Sequence, residues 1–535
     1  MSEIHLLDCT LRDGGYLNDW KFGHDNILNI FERLTAAGID IVEVGFLDQR
    51  RPFDPDRTIQ PDCASYNRNM EGLDKGHSLV TAMIDYGTCD LSHLMPAEQC
   101  FLDGIRIIFK KHIMHEAIAF CKQVKALGYK VFAQAVSITS YNDEEFTELL
   151  GLVNELEPYA FSLVDTYGLL HKESLEHYYR FADRLLKPGI TLGYHAHNNF
   201  QLAYANCAEV IENPPERPTV VDGTLYGMGK SAGNAPLELL TMTMNQKFPG
   251  RYDQSQLLEA IETNILEMYR RTPWGYQFKF FLAASHDCHP NYVTYLTDKR
   301  QLSIKSISEI LNRLEGEKKL LYDQATIEKL YLDYQKKECD DAADLACLKE
   351  KLAGKKVLLL APGSSLVGEK AVIDACIAGE KPFVISVNQL PDYPVDAVFL
   401  SNARRYIQMA TALHERKACP AVIATSNVTS AQGEFDFTLN YGSLLDEGAE
   451  YPDNPLIMLL KLAGRCGAAE VLLAGFDGYT TAGTSNFANP NMEYSFTREK
   501  AELLNAYAKE SLARLGKTVP YRFLTKSYYN GTLKG

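Results

Sequence analysis

The residues best suited to chemistry in this chain are Asp13, His195 and His197. Asp13 lies in the run Leu6-Leu7-Asp8-Cys9-Thr10-Leu11-Arg12-Asp13-Gly14-Gly15, where an apolar stretch starting at Ile4 gives way to a polar cluster and two glycines. That pattern predicts a short buried strand opening into a loop. The Asp13 carboxylate is a hard oxygen donor, Arg12 is a fixed cation with planar donors, and the glycines let backbone turn closely around a bound group. His195 and His197 lie in Gly193-Tyr194-His195-Ala196-His197-Asn198-Asn199, after the apolar Ile190 and Leu192. Residues two apart on a strand share a face, so both imidazoles can reach one point. With Asp13 they make a two-histidine, one-carboxylate set, suited to a divalent first-row ion that keeps open positions for substrate. A glycine-spaced loop, Asp222-Gly223-Thr224-Leu225-Tyr226-Gly227-Met228-Gly229-Lys230-Ser231-Ala232-Gly233-Asn234-Ala235-Pro236-Leu237-Glu238, leads into a helix and offers Asn234 as a further oxygen donor.

In this order, the LRDG loop, the HxH-N-N segment and the GMGxxxGN loop resemble the DRE-type metal-dependent TIM-barrel lyases and synthases. That family includes 4-hydroxy-2-oxovalerate aldolases, 3-hydroxy-3-methylglutaryl-CoA lyase and the isopropylmalate and homocitrate synthases. The resemblance reaches to about residue 290. It implies Asp13, His195, His197 and Asn234 as ligands of a divalent ion (Mn2+, Mg2+, Zn2+ or Co2+), Arg12 as the catalytic arginine and Glu43 as its brace. It also puts Asp165, of the pair Asp165-Thr166, in a supporting role at a strand end, where a plain turn or helix cap is an equal explanation. The implied reaction is an aldolase or lyase step through a pyruvate-like 2-oxo acid enolate with an aldehyde partner. Two departures matter. Oxovalerate aldolases carry a histidine soon after the arginine-aspartate pair, and here Tyr16 occupies that neighbourhood. The glycine-spaced loop lacks the cysteine of the CoA lyase branch.

These residues need a frame that brings distant segments together. Eight strand-like runs alternate with helical patterns: from Ile4, Ile39 to Phe46, Leu79 to Ile84, Gly104 to Phe109, Lys130 to Val136, Ala160 to Val164, Ile190 to Tyr194, and Val220-Val221. The expected fold is α/β, a (β/α)8 TIM barrel over residues 1–250, with its chemistry at the carboxyl ends of the strands. Glu43 falls inside an apolar run, where a buried carboxylate needs a cation. Asp85-Tyr86 and Lys110-Lys111-His112, at strand ends, could meet a substrate carboxylate or tail. Residues 251–349 read as a helical extension and linker; Trp274 and Phe278 are expected to fill core, and His289 and Tyr292 are candidates for a site or interface. Residues 350–535 read as a second, doubly wound domain. Its first turn, Pro362-Gly363-Ser364-Ser365-Leu366, could receive a phosphate on backbone amides, making Gly363, Ser364 and Ser365 candidate binding residues. The turn lacks GxGxxG and GKS/T patterns. With the later Gly475-Phe476-Asp477-Gly478 it loosely resembles sialyltransferase-like domains that bind nucleotides or nucleotide-sugars; a structural or homo-oligomerising domain is the alternative.

At 535 residues the chain exceeds the size of one core, and 46% hydrophobic with 23% charged residues is an ordinary globular composition. The net charge of −15 argues against nucleic acid and acidic membrane as partners. No leader or membrane span is evident, so a cytoplasmic location is expected, with the twelve scattered cysteines reduced. Three rivals stand beside the aldolase reading: an acyl-CoA-dependent Claisen synthase, a glycosyltransferase-like protein acting through the second domain, and a non-catalytic metal scaffold. The last leaves Arg12 and Glu43 poorly explained.

Overall fold

The computed structural model of the protein describes residues 3–299, 302–319, 322–335, 339–415, 420–428, 435–446, 452–481, 486–492 and 500–533. They form two compact units, Met1–Pro290 and Asn291–Gly535.

The first unit is a closed barrel of eight parallel strands. They are β1 (Ile4–Asp8), β2 (Ile41–Leu47), β4 (Leu79–Asp85), β5 (Gly104–Phe109), β6 (Lys130–Ala135), β7 (Ala160–Asp165), β8 (Thr191–Ala196) and β9 (Thr219–Gly223), with a two-residue β3 (Ile59–Gln60) beside the end of β2. Closure is made by β1, which pairs with β9 from Ile4 opposite Thr219 and with β2 at Leu7 opposite Ile41. All eight expected strands are present. Their apolar runs are buried on both faces, as a sheet wrapped by helices requires. The helix His24–Ala36 shows the other half of the arrangement: Ile27, Ile30, Phe31 and Leu34 are buried at helical spacing. Inside the barrel, Gly193 has no room for a side chain because Ser162 fills that space.

Helices from Gln254 to Ser285 come after the barrel. Trp274 is buried and its indole N–H donates to the Tyr226 carbonyl (2.9 Å), but Phe278 is 49% exposed. The expectation of core filling therefore fails for Phe278, which starts the helix Phe278–Ser285 while Leu282, Ala283 and Ala284 supply its buried face.

The second unit carries a parallel seven-stranded sheet in the order β14-β13-β12-β11-β10-β15-β16. These are β10 (Lys356–Leu360), β11 (Phe383–Val387), β12 (Ala397–Leu400), β13 (Ala421–Thr425), β14 (Phe437–Leu439), β15 (Glu470–Ala474) and β16 (Tyr521–Phe523). The order reverses between β10 and β15, the doubly wound arrangement. The two three-residue edge strands are too short to stand out in the sequence. The Lys-, Asp- and Glu-rich stretch 336–351 reads as an exposed helix or linker; it does contain a helix, Ala342–Leu352, but that helix buries Leu348 and Leu352 in this unit's core. Asp341 and Asp344 accept N–H bonds from Asn440 and Thr438 beside it. The start of that stretch, 336–338, lies outside the described residues. Tyr292 is fully buried and donates to the Lys318 carbonyl (2.7 Å), a packing role. Among the described residues the cysteines are free, and no helix is long and apolar enough to cross a membrane.

Candidate active site

The loop after β1 is pinned from three sides. At the end of β1 the chain makes one helical turn, Thr10–Asp13, with the Asp13 N–H bonded to the Cys9 carbonyl (2.8 Å). Asp8 accepts from the Thr10 amide and hydroxyl, and the Thr10 hydroxyl in turn accepts from the Leu225 amide (2.8 Å), tying this loop to the one after β9. The Trp20 indole donates to the Arg12 carbonyl (2.8 Å), and its ring occupies the space a side chain at Gly15 would need.

Asp13, His195 and His197 offer ligand atoms that all lie within 4.8 Å of one another, and Asp13 Oδ2 is 3.5 Å from His197 Nε2. Each imidazole is oriented through its other nitrogen. His195 Nδ1 faces Asp222 (3.0 Å), and His197 Nδ1 faces the Asp165 carbonyl (3.2 Å). Protons on Nδ1 leave both Nε2 lone pairs directed to the shared point. Both Nε2 atoms and Asn234 Oδ1 are buried without a hydrogen-bond partner. The Asn234 amide group donates to Asp13 Oδ2 (2.6 Å) and to the Met228 carbonyl (3.2 Å). Orphaned buried acceptors cost about 1–3 kcal/mol each, so their concentration in one place fits a cation. A second cluster, Cys9 with His195 and Asp222, fits less well: Arg106 already engages Asp222, and burial pushes the Cys9 thiol far up.

The site's charges alternate in a buried chain. Arg12 donates to Asp13 (2.5 Å) and, through Nε, to Glu43 Oε2 (2.8 Å). Arg106 reaches the same Glu43 oxygen (2.9 Å) and also Asp222, which holds His195. Burial alone would raise the Asp13 pKa, but the Arg12 guanidinium, with His197 and His195, holds it well below the carboxylate range. Burial pushes His195 down to about 4 against the pull of Asp222, so the imidazole is neutral and available as a ligand. Among the described residues, Arg12 Nη2 makes no bond within the protein and remains for an incoming oxygen.

The structure thus brings Arg12, Asp13, Glu43, His195, His197 and Asn234 together. Asp165 is close by, but its carboxylate accepts the Leu169 and Leu170 amides (2.8 and 3.0 Å), and only its carbonyl meets His197. Tyr16 is 42% exposed, its ring against Trp20 and Phe46, with the Lys230 ammonium 5.3 Å from the ring centre. Lys111 is turned away into a pair with Glu145 (2.9 Å). Sequence reasoning missed Arg106, Asp222 and Lys230. Arg106 stands out as a charge inside the run Gly-Ile-Arg-Ile-Ile-Phe, the counterpart of Glu43; Asp222 follows a strand-like run at the head of the glycine-spaced loop.

In the second unit, the Ser365 amide and the Ser364 and Ser365 hydroxyls are engaged by the Asp477 carboxylate. The turn at Gly363 therefore presents an acid where the sequence suggests a phosphate. Around the carboxyl ends of β10, β11, β12 and β15 lies a cavity of about 700 Å³, lined in part by Gly363, Asn388, Arg405, Asp477 and Gln335. Gln335 Oε1 is buried without a partner there.

The barrel region is similar to known proteins. Residues 3–263 match the HMGL-like family model. The chain is 24% identical over 321 residues to oxaloacetate decarboxylase from Mycobacterium tuberculosis, covering 58% of this chain and 90% of that protein. It is 23% identical over 277 residues to 4-hydroxy-2-oxovalerate aldolase 2 from Salinispora arenicola, covering 51% of this chain and 77% of that protein. The crystal structure of Bacillus subtilis HMG-CoA lyase aligns with 17% identity and a TM-score of 0.40, covering 50% of this chain and 93% of that one.

Proposed function

We propose that the barrel, whose residues 3–263 match the HMGL-like family model and whose relatives are named as a decarboxylase and aldolases, is a divalent-metal-dependent aldolase. It makes or breaks a carbon–carbon bond through the enolate of a pyruvate-like 2-oxo acid, with an aldehyde as the other partner. The observation that carries this reading is the convergence of unpartnered His195 Nε2 and His197 Nε2 on Asp13, beside Arg12. Asp13, His195, His197 and Asn234 would hold a divalent ion, which when bound would supply Lewis acidity toward a 2-oxo acid. Arg12, held by Glu43 through Nε, stabilises negative charge developing on the keto oxygen. Asp222 and the Asp165 carbonyl keep both imidazoles in the ligating tautomer. Tyr16, at the rim, is the hydroxyl we assign to proton transfer on the aldehyde side.

Incubating the metal-loaded protein with pyruvate in deuterated water tests the proposal. Methyl protons should exchange, and a chelator should stop it. A lack of exchange with Mn2+, Mg2+, Zn2+ and Co2+ alike would refute it. Release of free CoA from acetyl-CoA with a 2-oxo acid would instead favour the Claisen synthase.

For the second unit we propose a small-molecule site in the cavity at the strand-order reversal, taking a nucleotide or nucleotide-sugar. The reversal point of an open parallel sheet is where such ligands bind, and the unpartnered Gln335 Oε1 supports a ligand with a donor. Because Asp477 occupies the turn, the anionic end belongs near Arg405. Titration of the full chain with CMP, UMP and UDP-sugars by calorimetry, repeated on R405M, checks it; no binding to the parent chain rejects it.

A further inference from the structure

The barrel mouth holds a charge that the proposed chemistry leaves unused. Lys230 sits in the loop that carries Asn234, and its amide donates to Asp13 Oδ2 (3.1 Å), which fixes the loop against the ligand set. Gly229 precedes it because any side chain there would strike Asp13 and Asn234. The Lys230 ammonium stands 5.3 Å from the centre of the Tyr16 ring. Lys230 is half-buried, and among the described residues it makes no ion pair. The charged groups whose fields reach it are Asp13, Arg12, Asp85 and Lys110, and it acts in turn on His289. Asp13 and Arg12 are committed to each other. Beyond them, the fields that reach Lys230 come from one further lysine, Lys110, and one carboxylate, Asp85. An ammonium that loses water without gaining a carboxylate is costly. The expense is recovered when an anion arrives with the substrate.

We propose that Lys230 receives a second anionic group, carried on the aldehyde half of the substrate, so that the enzyme joins or cleaves 2-oxo acids whose far end bears a carboxylate or phosphate. This rests on the enolate reading of the barrel. The oxo acid's own carboxylate and keto oxygens belong at the Asp13, His195 and His197 end. Lys230 lies over Tyr16, the rim residue assigned to the aldehyde oxygen, which places its charge on the other side of the breaking bond. A neutral aldehyde such as propanal gives it nothing to hold.

The test measures condensation of pyruvate, by the Mn2+-loaded full chain, with propanal, glyoxylate, succinic semialdehyde and glyceraldehyde 3-phosphate. The expected result is a kcat/KM roughly 30-fold higher for at least one anionic aldehyde than for propanal. The carboxylate and phosphate arms show which anion is preferred. Lys230→Met should erase the preference chiefly through KM, and Lys230→Arg should keep most of it. A preference for propanal overturns the proposal. So does a Lys230→Met variant that slows every aldehyde by the same factor, which would make Lys230 a loop-positioning residue. Trapping of pyruvate on Lys230 by borohydride overturns it too, since the lysine would then be a Schiff-base nucleophile. Deuterium exchange into pyruvate needs no aldehyde and separates the two claims. Exchange without anionic preference defeats this inference alone; no exchange defeats both.

Discussion

At the scale of single residues, the site is a chain of alternating charges whose links have unequal consequences. Arg106 is wholly buried and compensates Glu43 and Asp222 together. Arg106→Met leaves both acids short of a partner, and removing one member of a buried ionic network costs about 3–5 kcal/mol. Thermal denaturation should show that loss, with activity falling as well. Glu43→Gln keeps the shape but weakens the hold on Arg12. It should lower kcat by roughly 10- to 100-fold, as expected for misplacing a catalytic group, while metal content stays normal. Equal metal content with undiminished kcat would show that Arg12 needs no brace. Asp13, His195 and His197, whose ligand atoms the fold brings within 4.8 Å of one another, were legible in the sequence because their types are unusual at strand ends. Arg106 and Asp222 were not read as site residues, because one sequence does not show which buried acid a buried arginine meets across a barrel. Lys230 was hidden for another reason: whether a loop lysine is solvated or enclosed is decided by Tyr16, a residue far away in sequence.

At the scale of elements, the barrel's closure depends on a small polar clamp. Asp40, just before β2, accepts the Leu6 amide of β1 (2.8 Å), the Tyr252 hydroxyl and the Arg251 guanidinium (3.1 Å). Burial would raise its pKa, but the bonds from His5, Tyr252 and Leu6 outweigh it and bring it to about 2. A carboxylate depressed in the folded state stabilises above its unfolded pKa and loses that contribution as pH falls through the folded value. Stability should therefore drop between about pH 4 and pH 2 by on the order of 2 kcal/mol from this group. Asp40→Asn should flatten that part of the curve in acid denaturation. The eight barrel strands could be read from apolar runs because a fully wrapped parallel sheet demands continuous burial. Strands β14 and β16 could not, since three residues at a sheet edge leave no periodic signal. Phe278 shows the same limit for helices: an aromatic at a helix start need not face inward.

At the scale of the whole chain, the barrel and the second sheet each close their own hydrophobic core. Ligand linkage should then act on one unit at a time. Mn2+ at 100 times its Kd should stabilise the barrel by about 2.7 kcal/mol. Calorimetry should show one unfolding transition moving up with metal while the other stays. The presence of two α/β units was visible in the sequence. The boundary was harder: contacts divide the expected 251–349 segment at Pro290, because Tyr292 and Leu348 are buried within the second unit.

The measurement that bears most directly on the account is Mn2+ titration of the full chain by electron paramagnetic resonance, on the parent and on the D13A/H195A/H197A variant. We expect one tightly held ion in the parent, absent from the variant although its barrel remains folded by circular dichroism. Equal tight binding by both proteins would contradict the claim that Asp13, His195 and His197 hold the ion.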